Sequence, residues 1–282
     1  MTEKDYAATA TRFQPRVLLA YPHHGQVHPW SARGFYRERL CSETCQIIEM
    51  ESDTSFVPQG YNILLHSALK IRDRYGDNGP THFAMIHADI APQPGWVDIL
   101  WHEMEEHGAD AIAAVSPIKE TEYSRTSTVI GNPNDPWKPI RSIQMTQRGQ
   151  MPETFGIEHV GNPDTEFLQI NTGCMLVDLR RPWWDIPTDN DTEGDFFAFA
   201  LHQRVLKVPK TPEQIAAETE PNKPPPLPYD RVVQSRSEDW EMSRHIWRHG
   251  GKVVATWKVP LDHFGTFAWS NQARVMVRET IA

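Results

Sequence analysis

Residues 81–96, THFAMIHADIAPQPGW, run from an apolar stretch straight into His87, Ala88 and Asp89. A carboxylate just past a buried strand can bind a divalent cation, which prefers oxygen ligands and can bridge phosphate oxygens. If the strand continues through this tip, His87 and Asp89 share one side of it. An Asp in that place also serves simply to cap the turn at APQPGW. His263 ends a second apolar run, VPLDHFG; taken alone, it reads as a structural or surface histidine rather than a ligand. Glu238 and Asp239 follow Ser237 at the start of SEDWEMSRHIWRHGG. Carboxylates in a first helical turn stabilise the helix dipole, and the same groups can take a proton from a hydroxyl. His23, His24 and His28 lie in YPHHGQVHPW, where Gly25 and Pro29 break any helix that would align them as ligands. Trp183 and Trp184 in RRPWWD can stack on a sugar or base, or anchor a core. Arg180 and Arg181 read as a solvated pair rather than a phosphate clamp.

The elements that must position these groups follow from the apolar pattern. RVLLAYP, residues 16–22, is a short buried run stopped by proline and predicts a strand. The next segment, HHGQVHPWSARGF, reads as a loop. Residues 62–76 predict a helix opened by Asn62, HFAMIHAD a strand, residues 95–109 a helix and DAIAAVSPI a strand. That alternation predicts an α/β fold, a mostly parallel sheet covered by helices. Ligands of such sheets sit at the carboxyl ends of the strands. Tyr21, Pro22 and His23 leave the first strand there, and His87 to Asp89 the second.

Residues 119–166 read as loops and a hairpin, with SIQM a strand. FLQINTGCMLVDL reads as a strand broken at Asn171, Thr172 and Gly173, with Gly173 allowing a close backbone approach. DFFAFALHQRVLK predicts a helix, and residues 208–230 a Pro-rich loop whose PPPLP is extended. A helix from Ser237 and a strand KVVATWKVPLDHFG ending at His263 complete the pattern.

The chain has 282 residues, 39% hydrophobic and 23% charged, an ordinary balance for a globular protein. No window approaches the apolar length of a transmembrane helix, and MTEKDYAATATRFQP lacks the apolar core of a signal peptide. With 3 cysteines no closed disulfide framework forms, so reduced thiols in the cytoplasm are expected. A formal net charge of −9 gives no general attraction to nucleic acid or anionic lipid. An anionic ligand needs a local cation.

In order along the chain, RVLLAYP, Asn62 before ILLHSAL, MIHAD followed by IAPQPGW, NTGCMLV, SEDWEMSRHIWRHGGKV and VPLDHFG resemble a nucleotide-sugar glycosyltransferase of the GT-A fold, of the family 2 kind. The resemblance implies a Rossmann-like sheet with a small antiparallel acceptor-side portion. It implies a single catalytic domain over residues 15–270, with a nucleotide half at 15–118 and an acceptor half at 119–270. Short tails at 1–14 and 271–282 flank it. His87-Ala88-Asp89 occupies the place of the Asp-x-Asp motif that holds a metal on the donor diphosphate; His87 replaces its first Asp. Asp89 and His263 are the implied ligands of Mn2+ or Mg2+, with His87 a third. Tyr21, Pro22, His23, Asn62 and Ala88 are implied to lie along the donor, a UDP-sugar. Asp239, with Glu238 second, is the implied base of an inverting transfer. Asn171, Thr172, Gly173, Trp183 and Trp184 are implied to lie by the acceptor, a glycan or small molecule.

Two other readings stand beside this one. A nucleotidyltransferase that builds sugar nucleotides would want a Gly-rich basic loop after the first strand, and YPHHGQVHPW has no Lys or Arg. A GT-A-like nucleotide-binding protein without turnover fits His87 but leaves Asp89, Asp239 and His263 unexplained. A hydroxymethylated base in DNA is an outlying acceptor, disfavoured by the acidic balance.

Overall fold

The structure, a computed structural model, describes residues 14–25, 27–54, 57–119, 125–135, 137–185, 202–219, 226–236, 238–265 and 268–271. Along the chain run β1 (Arg16–His23), α1 (Pro29–Tyr36), α2 (Glu38–Cys41), β2 (Gln46–Asp53), α3 (Val57–Tyr75), β3 (His82–Ile86), β4 (Ile90–Pro92), α4 (Trp96–Glu106) and β5 (Ala111–Ala114). Next come β6 (Arg125–Gly131), β7 (Arg141–Gln144), β8 (Thr154–Phe155), α5 (Ile157–Val160), β9 (Phe167–Gln169) and β10 (Cys174–Asp178). Then follow β11 (His202–Pro209), α6 (Pro212–Glu218), β12 (Tyr229–Arg236), α7 (Glu238–Arg248), β13 (Val253–Thr256), β14 (Leu261–Phe264) and β15 (Ala268–Ser270).

Seven strands form the central sheet in the order β2-β1-β3-β10-β5-β13-β8. β10 and β8 run antiparallel to their neighbours, and the β1–β2, β1–β3 and β5–β13 pairs are parallel. Both faces of the sheet are apolar, which is why its inner strands read as continuous runs rather than alternations. Leu18, Ala20, Phe83 and Met85 face one layer, where Leu64, Leu65 and Ala68 of α3 and Met242 and Ile246 of α7 cover them. Val17, Leu19, Ala84 and Ile86 face the other, under Trp96, Leu100 and Met104 of α4 and Phe35 of α1. The result is a mixed α/β fold with a mostly parallel, helix-covered sheet, compatible with a Rossmann-like architecture.

Several elements differ from the sequence reading. The segment taken as a loop after β1 contains α1, with Pro29 at its start, where a missing N–H costs nothing and φ is already set. Gly34 lets α1 approach Pro92 closely, since a Cβ there would meet Pro92 at 3.1 Å. α3 begins at Val57, so Asn62 lies inside the helix rather than opening it. β3 stops at Ile86, and His87 to Asp89 form a turn, not a strand end with two aligned side chains. FLQINTGCMLVDL divides into β9 and β10, which belong to different sheets, and KVVATWKVPLDHFG divides likewise into β13 and β14.

The predicted helix DFFAFALHQRVLK is a strand from His202 onward; residues 195–201 lie outside the described residues. β12 pairs antiparallel with it from Arg236 to Tyr229, and cross-strand pairing overrides the helical pattern. The Pro-rich stretch holds the short helix α6, capped by Thr211, whose side chain accepts from the Gln214 N–H at 3.3 Å. All three cysteines are unpaired. No helix among the described residues is long and apolar enough to cross a membrane.

Candidate active site

Strand order places a crevice where chemistry is easiest to build. The chain leaves β1 toward β2 on one side, then returns through α3 to β3 on the other. Between the carboxyl ends of β1 and β3 the crossover direction reverses, the usual ligand position in such sheets. A cavity of about 570 Å3 opens there, a size suited to a small ligand. Its lining includes Pro22, His23 and His24 from the end of β1, His28 and Pro29 at the start of α1, and Thr54. Tyr61 of α3, the His87–Asp89 turn, Phe264 and Gly265 complete it. Among the described residues the lining contains four histidines and no Lys or Arg.

Hydrogen bonds fix the turn. The His87 N–H donates to the Gly173 carbonyl at 3.0 Å, and the Ile90 N–H to the His87 carbonyl at 3.1 Å. Ser31 Oγ donates to the same His87 carbonyl at 2.7 Å and receives the Tyr21 hydroxyl at 3.2 Å. The Ser31 side chain of α1 and backbone from β4 and from the turn before β10 therefore meet on one residue. The His87 ring lies against Tyr61, centroids 5.1 Å apart, with Nε2 at 2.5 Å from the Tyr61 hydroxyl and 3.0 Å from Thr172 Oγ1. His87 lines the pocket, but this nitrogen faces two hydroxyls rather than a metal position. On the opposite wall the His28 ring stacks on Phe264 at 3.6 Å.

Asp89 and His263 converge although they lie far apart in sequence. β14 pairs with β4, setting His263 opposite Ile90 and next to the Asp89 turn. His263 Nδ1 donates to the Pro117 carbonyl at 2.8 Å, which turns Nε2 toward Asp89 Oδ2 at 3.5 Å. Lys119 Nζ donates to the same Asp89 oxygen. Burial works to raise the Asp89 carboxyl. The hydrogen bond and charge of His263, the charge of His87 and the hydrogen bond from Lys119 outweigh it and hold the group well below the usual carboxylate range.

Other residues named from sequence fall elsewhere. Tyr21 is fully buried, stacked on Phe35 at 4.7 Å, and burial pushes its phenol up to about 12, so it supports the turn from beneath. Asn62 does not line the cavity; its neighbour Tyr61 does. Asn171 and Thr172 are buried: the Asn171 amide donates to the Ala114 carbonyl and accepts from the Gly173 N–H, and Thr172 faces His87. Gly173 gives the close approach its residue type predicted, since a Cβ would meet Asn171 Oδ1 at 3.0 Å and Ile90 at 3.2 Å.

Trp183 and Trp184 are buried core residues. They follow the end of β10, which lies at the amino ends of the parallel strands, away from the crevice. Their rings have no face to offer a sugar. Arg180 is not merely solvated: it bonds Asp178, and Arg181 pairs with Asp110 and Asp178. His23 and His24 stand near Glu51 and Asp53 at 3.4 and 3.7 Å. No group of three or more His, Cys, Asp or Glu among the described residues is arranged to hold a metal. Glu238 and Asp239 open α7 as expected, but their side chains, like Ser237, fall outside the described residues. Sequence reading missed Tyr61, Lys119 and Phe264. Each is an ordinary residue in its own segment, and only the fold brings it to the crevice.

Neither a family model nor a curated protein matches the chain. Among solved structures, the one titled "Crystal Structure of A197 from STIV" is similar at 12% identity and a TM-score of 0.47, over 95% of this chain and 95% of that one.

Proposed function

We propose that the chain is a metal-dependent glycosyltransferase that moves a sugar from a nucleotide-sugar, UDP-linked in the first instance, to an acceptor hydroxyl. The observation that carries this reading is Asp89 in the lining of the crevice between β1 and β3, with His263 Nε2 turned toward it at 3.5 Å. One carboxylate and one imidazole fit a Mn2+ or Mg2+ ion that takes its remaining ligands from phosphate and water. The Pro117 carbonyl supports the fit, because it fixes the ring nitrogen that His263 presents. His87 belongs to the scaffold of this site through Tyr61 and Thr172, not to the ligand set.

The ion, when bound, would offset charge growing on the leaving diphosphate. The protein's own groups do the rest. Pro22, His23 and the stacked His28–Phe264 pair wall the space for the nucleoside, and the anchored turn holds Asp89 in place. Asp239, with Glu238 second, is the proposed base for the acceptor hydroxyl in an inverting transfer. Among the described residues the lining holds no Lys or Arg, and Lys119 beside it is already paired with Asp89, which favours metal dependence over a purely cationic cradle.

Calorimetric titration with UDP, GDP and their sugar conjugates, each with Mn2+ and with EDTA, tests this. The expected outcome is binding of one nucleotide only with Mn2+, weakened about 100-fold in Asp89→Ala. Binding that ignores EDTA, or that survives in the variant, removes the metal site and the donor reading with it.

A further inference from the structure

A second cavity, of about 590 Å3, opens on the far side of Phe264 from the nucleotide crevice. Trp30, Arg33, Gln93 and Asp262 line it, and Phe264 is common to both cavities. Trp30 is 53% exposed, which leaves part of its indole open to solvent. It stands in the first turn of α1, one turn before Arg33, whose guanidinium lies over the indole at 5.1 Å. That cation restricts the ring without burying it.

The polar groups across the cavity are held in place but unspent. β14 sits between β15 and β4, so Asp262 is fixed by backbone pairing to Ser270 and Ala91. Its carboxylate makes no hydrogen bond or ion pair with any described residue. Gln93 is pinned through its backbone N–H to the Pro260 carbonyl at 3.0 Å, and its amide likewise has no described partner.

The combination selects a ligand class. A flat indole takes the C–H face of a pyranose ring. A carboxylate, a primary amide and a guanidinium together satisfy hydroxyls that both donate and accept. A phosphate would meet the Asp262 charge, and a purely apolar ligand would strip water from an unpaired carboxylate. We propose that this cavity is a binding subsite for a neutral carbohydrate chain. Its recognition of sugar stands on its own lining. Its role as the seat of the acceptor rests on the glycosyltransferase reading, through the wall it shares with the donor crevice.

The test is calorimetry of the full chain with soluble neutral oligosaccharides of glucose, galactose, mannose and N-acetylglucosamine. Wild type, Trp30→Ala, Trp30→Phe and Asp262→Asn are compared, and UDP is titrated with Mn2+ in parallel. Expected is binding of at least one oligosaccharide, weakened about tenfold in Trp30→Ala, partly kept in Trp30→Phe and weakened in Asp262→Asn. Because Trp30 is exposed, these variants keep the fold and the wild-type response to UDP. No binding of any oligosaccharide, or full affinity in Trp30→Ala, overturns the subsite. Oligosaccharide binding without any nucleotide response keeps the subsite and overturns the donor reading instead.

Discussion

Lys119 bonds the Asp89 oxygen that the proposed divalent cation would need. An ion pair this exposed is worth at most about 1 kcal/mol, so Lys119→Ala should raise Mn2+ affinity about fivefold, measured by titration in the presence of UDP. Unchanged affinity would place the cation elsewhere. A different residue sets the response of stability to pH. Glu38 is fully buried, and burial raises its carboxyl to about 7, although the N–H groups of Gly95 and Val97 donate to it at 2.7 and 2.9 Å. The folded state therefore holds this proton more tightly than the unfolded chain does. Its contribution is complete below the ordinary glutamate value of 4.5 and is lost as pH rises through about 7. The loss amounts to about 3 kcal/mol. Glu38→Gln should remove that slope. Urea unfolding of both proteins at several pH values between these limits would show it as a stability difference that shifts toward the variant with rising pH.

At the scale of elements, the turn before β10 acts as a template for the turn after β3. Gly173→Ala forces a methyl against Asn171 and Ile90, both buried and neither free to yield. The expected cost is about 1–3 kcal/mol in unfolding free energy, together with weaker nucleotide binding, because His87 hangs on the Gly173 carbonyl. Wild-type values in both measurements would show that the turn after β3 holds its shape unaided. The sequence made β1, β3, β5 and the helix over residues 95–109 legible because each buries a continuous or periodic apolar set. β2 was unreadable, since only Ile47 among its residues is buried, Ile48 and Met50 are half-buried, and Glu49, Glu51 and Asp53 interrupt the apolar run. α1 was hidden behind Pro29 and Gly34, residues that usually break helices and here start one and let it approach Pro92 closely. In the residues themselves Asp89 and His263 were visible only as two polar tips on apolar runs, and the family resemblance alone linked them. Neither tip shows that β4 and β14 pair, and that pairing is what brings them together.

For the molecule as a whole, charge and site pull in opposite directions. The chain carries a net charge of −9, and the proposed ligand is an anion. Long-range repulsion then slows encounter at low ionic strength, where the screening length is about 30 Å, and fades near 0.15 M, where it is about 8 Å. The association rate of UDP, followed by stopped flow at fixed Mn2+, should therefore rise with salt across this range. A falling rate would mean that a local cationic funnel outweighs the net charge.

The sheet order also dictates how the molecule comes into being. β5 is made early, yet its parallel neighbour β13 arrives more than a hundred residues later. During synthesis one edge of β5 lies open, an apolar strand of Ala and Ile awaiting a partner. β14 follows β13 almost at once, so His263 reaches Asp89 in the same late event. A nascent or truncated chain thus has a first half that can pack but no complete crevice. Synthesis must therefore pass β14 before Asp89 gains the partner that the proposed site requires.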